Sequence, residues 1–133
     1  MHRRALLFSS TAFLLLPQDA SAMTTLTYSP TEWARLSQTN ETYILNFRAK
    51  WSITCNIKLE LIAQLLLENP DYARLTFIDV DWDTFGQSEM AQRMRVKRRS
   101  TLVIQKRGKE IGRIENQPYA HKMRAFLDAA LSA

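Results

Sequence analysis

The chain has 133 residues, 46% of them hydrophobic, with 18 Lys and Arg against 13 Asp and Glu and a formal net charge of +5. That length suits one domain able to bury an ordinary core. The charge is modest and no aromatic–basic motif accompanies it, which argues against nucleic acid as a partner. The single cysteine, Cys55, excludes an internal disulfide.

The first residues read as an export signal. Arg3 and Arg4 form a basic start, Ala5 to Leu16 is a short, mostly apolar run, and Ala20-Ser21-Ala22 is a small-residue cleavage signature. The division expected is a cleavable signal peptide over 1–22 and one domain over 23–133. The apolar run is too short to span a bilayer, which takes about 20 residues, so no membrane span is expected after cleavage. Export implies an oxidising space, expected to be a bacterial periplasm.

Ser29-Pro30-Thr31-Glu32 is a capping box with proline at the first helical position, so a short helix begins there with Trp33 and Leu36 on its apolar side. A first strand is possible just before it, over Thr25 to Tyr28. Thr42 to Phe47 reads as a buried strand. Ser52 then suits the cap of a longer helix reaching about Glu68, with apolar residues at 55, 59, 62 and 66 and a stripe widened by Ile57, Leu61 and Leu65. Asn69-Pro70 stops that helix.

Leu75 to Val80 is apolar and β-branched, as a central parallel strand should be. A helix over Ser88 to Met94 follows, then a strand over Thr101 to Gln105. Lys106-Arg107-Gly108-Lys109 has turn chemistry, and Glu110 to Ile114 returns as a hairpin partner. Pro118 is expected to open a final helix with Met123, Phe126, Leu127, Ala130 and Leu131 on one face. This order predicts an α/β domain, a mixed sheet with helices on both faces. The strand-to-helix turn at Trp51 falls at a strand's carboxyl end, where sites in such sheets usually form.

The order of elements, with Phe47, Ala49, Trp51 and Cys55 in a strand-F-x-A-x-W-(C)-x-x-C segment, resembles the thioredoxin family over nearly all of residues 23–133. The resemblance implies a thioredoxin-like three-layer sandwich. The threonine before Cys55 is similar to the W-C-x-T-C variant of periplasmic thiol:disulfide interchange proteins. Three positions depart from the family. Ser52 stands where the attacking cysteine belongs, Asn46 where many members have a buried aspartate, and Ser100 where the cis-proline shapes the substrate groove. The loop into Thr101 carries Lys97, Arg98 and Arg99 in place of small apolar residues.

Each departure has a chemical consequence. A serine hydroxyl cannot form a disulfide, and with no base evident beside it Ser52 is expected to act as a helix cap, worth about 1 kcal/mol. Asn46 removes a titratable group. Ser100 predicts a trans Arg99–Ser100 bond, since a cis non-proline bond costs ~3–4 kcal/mol. The degenerate Ser52-Ile53-Thr54-Cys55 site is thus expected not to run a dithiol cycle. The protein would act by binding a partner, with Trp51, Ser52, Arg99, Ser100 and Thr101 as contact residues.

Two readings of Cys55 stay open. It is either a buried core thiol or a catalytic monothiol that forms mixed disulfides, favoured as thiolate by the helix N-terminus and the Lys97 to Arg99 cations. The partner expected is a periplasmic protein or protein thiol, acidic if the basic clusters at Arg93 to Arg99 and Lys106 to Lys109 dock it. No cofactor and no metal site are expected. Asp79, Asp81 and Asp83 alternate along a strand end and more often cap a turn than close a cation loop, and His121 has no spacing that relates it to Cys55.

Overall fold

The computed structural model describes residues 23–133, so the signal-peptide expectation for 1–22 lies outside the described residues. Five strands form one sheet in the order β1-β3-β2-β4-β5, with β1 at Thr24–Thr27, β2 at Thr42–Arg48, β3 at Thr76–Asp81, β4 at Thr101–Lys106 and β5 at Lys109–Glu115. β3 pairs parallel with β1 and with β2, whereas β4 pairs antiparallel with β2 and with β5. The sheet is therefore mixed, as the alternation of strand and helix patterns predicted.

The local chemistry of each helix start is visible. α1 (Pro30–Leu36) is capped by the Ser29 hydroxyl, which accepts from the Glu32 N–H at 3.2 Å. The Glu32 carboxylate does not close the reciprocal half of a capping box; it pairs with Arg35 at 2.7 Å. α2 (Ile53–Glu68) starts after Ser52 and ends at Asn69, whose side chain then caps a 3-10 turn over Pro70–Arg74. That turn and the one-turn helix α3 (Trp82–Phe85) carry no periodicity long enough to be read from sequence. α4 spans Glu89–Arg93, capped by Ser88.

α5 (Ala120–Ser132) begins two residues after Pro118, not at it. Tyr119 occupies the cap position but offers no side-chain cap, and the first turn closes with the Met123 N–H on the Tyr119 carbonyl at 3.0 Å. The β4–β5 hairpin turns on Arg107 and Gly108, both at positive φ (51° and 73°), the backbone of a two-residue primed turn.

Side chains alternate across the sheet and build two cores. On one face Ile44, Phe77, Leu102 and Ile104 meet Ile62 and Leu65 of α2, Tyr72 of the 3-10 turn, and Met123, Phe126 and Leu127 of α5. On the other, Leu45, Phe47, Ile78, Val80 and Val103 meet Leu36 of α1 and Met90 and Ala91 of α4. Helices thus cover both faces. Tyr72 donates to Asp128 at 2.6 Å and Arg124 reaches Glu68 at 3.0 Å, which ties α5 to the end of α2.

The buried positions of α2 are 55, 58, 62 and 65, a tighter stripe than expected. Ile57, expected to widen the buried side, is 46% exposed, and Lys58 is buried in its place. Among the described residues no helix is long and apolar enough to cross a membrane.

Candidate functional site

β2 ends at Arg48 and the chain turns through Ala49, Lys50 and Trp51 before α2 begins. The turn is fixed by the Ser52 N–H on the Ala49 carbonyl at 3.0 Å and the Asn56 N–H on the Ser52 carbonyl at 3.2 Å. Ser52 is buried, and its hydroxyl oxygen accepts from the Cys55 N–H at 3.4 Å and from Arg99 Nε at 3.2 Å. The serine is the N-cap of α2, in agreement with its expected structural role.

Cys55 sits one turn into α2 at 3% exposure. Its Sγ lies 3.0 Å from Ser100 Oγ. The Arg99–Ser100 bond is trans, and Ser100 itself takes a left-handed conformation with φ 61°. The surroundings hold it there. Its N–H donates to the Phe47 carbonyl at 2.8 Å, and its own carbonyl accepts from the Asn116 N–H at 3.1 Å and from Lys58 Nζ. A residue that forgoes the ordinary backbone region costs about 1–2 kcal/mol, and these three bonds oppose that cost.

Lys58 is the site residue that the sequence reading missed. It is 3% exposed, and burial lowers its ammonium pKa to about 8, against the opposing pull of Cys55 and Glu115 as anions. Spacing alone did not single it out: 55, 58, 62 and 65 make a regular helical stripe, but so do the apolar positions 55, 59, 62 and 66. Burial pushes the Cys55 thiol up, but hydrogen bonds from Ser100 and Ser52 and backbone groups of Ala49 and Ser100 outweigh it and leave the pKa below its ordinary value. A thiol and an ammonium one helical turn apart thus share a buried polar pocket around Ser100.

Of the other expected contact residues, Trp51 is 61% exposed. Arg99 lies over its ring at 4.7 Å and Asp83 accepts from its indole N–H at 2.9 Å. Thr101 is fully buried, and its hydroxyl donates to the Arg98 carbonyl at 2.8 Å. The geometry therefore brings Ser52, Cys55 and Ser100 together with Arg99, leaves Trp51 and Arg99 open to solvent, and turns Thr101 to a structural bond. Ile53 and Ile57, 76% and 46% exposed, continue the apolar surface from Trp51 along α2. Asn46 is buried on the α2 side of β2, sharing the parity of Ile44.

The acidic residues nearby are used singly. Asp79 pairs with Arg48 at 3.3 Å, Asp81 accepts from Thr84 at 2.6 Å, and Asp83 holds Trp51. Trp82 packs against the opposite core, and Gly86 approaches it so closely that a Cβ there would lie 2.6 Å from its carbonyl oxygen. His121 stacks on Tyr119 at 6.0 Å.

No family model and no curated protein matches the sequence. Solved structures do. Trxlp from Edwardsiella tarda superposes with a TM-score of 0.65 at 22% identity, covering 78% of this chain and 98% of that one. Thioredoxin from Malassezia sympodialis gives 0.66 at 18%, over 82% and 95%. Thioredoxin from Fasciola hepatica gives 0.58 at 24%, over 80% and 97%. The likeness establishes a thioredoxin-like α/β fold, with a single cysteine where the strand β2 turns into α2.

Proposed function

We propose that this chain is an exported, periplasmic thioredoxin-fold protein that binds a protein partner at the β2–α2 end and does not cycle a dithiol. The observation that supports this reading is the inversion of exposure at the site. The thiol is shut behind Ser52, Ser100 and Lys58, while Trp51, Ile53 and Ile57 stand open as an apolar rim beside Arg99. A tryptophan stacked with an arginine matches the residue types enriched in binding hot spots, and Arg99 together with Lys97 and Arg98 favours an acidic partner. The export part of the reading rests on the residue pattern of 1–22.

The test is thiol titration followed by capture. Native protein exposed to an aromatic disulfide reagent should label far more slowly than protein in denaturant. Pull-down from a periplasmic extract should recover the same partner with and without reductant, and Trp51→Ala should weaken recovery. Rapid, stoichiometric labelling of the native thiol would overturn the reading.

A second reading has one observation in its favour, the lowered pKa of Cys55. In that reading the Cys55 thiolate attacks a partner's disulfide. A mixed disulfide forms, one partner sulfur leaves as thiolate, and a thiol from another molecule resolves the bond. Insulin reduction by dithiothreitol that rises above background and vanishes in Cys55→Ala would select this alternative. A partner recovered only without reductant would select it as well.

A further inference from the structure

The sheet face away from Cys55 carries a cleft of about 980 Å³ between α1 and α4, floored by Gln105 of β4. Its volume is at the upper end of the range typical of small-molecule sites. Tyr28, Trp33, Met90 and Met94 supply aromatic and thioether walls. Such walls favour a flat ring, through edge and face contacts and sulfur–aromatic contacts.

The polar groups are more selective. Gln105 is 4% exposed, and its Oε1 has no hydrogen-bond partner among the described residues. An unsatisfied buried acceptor costs about 1–3 kcal/mol, and the buried amide of Gln105 lacks a donor. The terminal amide torsion of glutamine is broad and two-fold, so rotating it exchanges Nε2 for Oε1 at the cleft. Beneath the cleft the β4–β5 register slips between Ile104 and Gln105, a bulge of the kind that re-aims side chains beside sites.

The charges at the rim divide into engaged and free. Arg113 is held by Glu110 and Glu115 and by the carbonyls of Met94 and Arg95, and Arg93 faces Glu89 at 3.6 Å. Arg95 forms no ion pair among the described residues. Its guanidinium is the cation left for an incoming anion.

We propose that this cleft binds a small aromatic acid bearing a ring N–H or O–H. The ring lies between Trp33 and the two methionines, the donor meets Gln105 Oε1, and the carboxylate meets Arg95. The site is separate from the β2–α2 end and does not depend on Cys55.

Indole-3-acetate is a suitable probe, followed by ¹⁵N–¹H NMR of the purified protein. Saturable shifts are expected at the Trp33 indole and the Gln105 amide. The N-methylated indole acid should bind at least tenfold more weakly, and 3-methylindole, which lacks the carboxylate, should also bind more weakly. Gln105→Leu should erase the difference between the N–H and N-methyl acids. Arg95→Gln, at an exposed position that leaves the fold intact, should weaken the acid but not 3-methylindole, and Cys55→Ala should change nothing. No saturable shift, equal binding of the N–H and N-methyl acids, or shifts confined to Trp51 and its neighbours would each overturn the proposal.

Discussion

Ser100 joins the loop before β4 to the thiol, and its backbone decides what can replace it. At φ 61° the position admits glycine freely and excludes proline, whose ring fixes φ near −65°. Ser100→Pro would also delete the N–H that bonds the Phe47 carbonyl. It should destabilise the protein by about 3 kcal/mol or more in urea titration, although it installs the residue that the resembled family carries. Lys58 sets a pH dependence. Its folded pKa of about 8 lies below the ordinary 10.5, so the unfolded chain holds the extra proton between those values. Stability should therefore rise with pH across that window, the penalty being fully present below pH 8. The lowered Cys55 pKa acts with the same sign. After solvent screening the lysine contribution should be about 1–2 kcal/mol. Lys58→Met should flatten the rise while staying within about 1 kcal/mol of wild type at pH 7, because replacing a buried charge by an apolar group of similar volume is often neutral.

At the scale of elements, α2 is the part on which the site depends. Its N-cap hydroxyl serves two donors, Cys55 N–H and Arg99 Nε. Ser52→Ala should cost about 1–2 kcal/mol in thermal or urea unfolding, and it should speed thiol labelling of native protein by loosening the first turn. Much of this element was legible in the sequence, because a serine cap, a helical apolar stripe and an Asn-Pro stop are local signals. Their register fixed Cys55 as an inward-facing residue one turn from the helix start. Ile57 and Lys58 were not legible. Choosing between adjacent positions requires knowing where β5 and the Ser100 loop pack, and those contacts are distant in sequence. The left-handed Ser100 was hidden for the same reason, since three tertiary hydrogen bonds hold a conformation that serine does not adopt by preference. The 3-10 turn and α3 were too short for any period to register, and α5 began late because nothing after Pro118 supplied a cap.

For the molecule as a whole, two cores on opposite faces of one sheet serve two surfaces. The α2–α5 core supports the Ser52 to Cys55 turn, and the α1–α4 core supports the cleft above Gln105. Leu127 of α5 is fully buried in the first core. Leu127→Ala should destabilise the protein by about 2–5 kcal/mol in urea titration. The three tryptophans divide between these regions, and that division gives the protein an intrinsic optical readout. Trp51 is a water-facing indole clamped by Arg99 and Asp83, whereas Trp33 and Trp82 are half-buried against the other core. A macromolecule settling on the α2 end must dehydrate Trp51 and disturb that clamp. Emission should then move to shorter wavelength, and Trp51→Phe should abolish the change. A small molecule entering the cleft should alter the signal of Trp33 instead, so fluorescence from the unlabelled protein would distinguish which face is occupied.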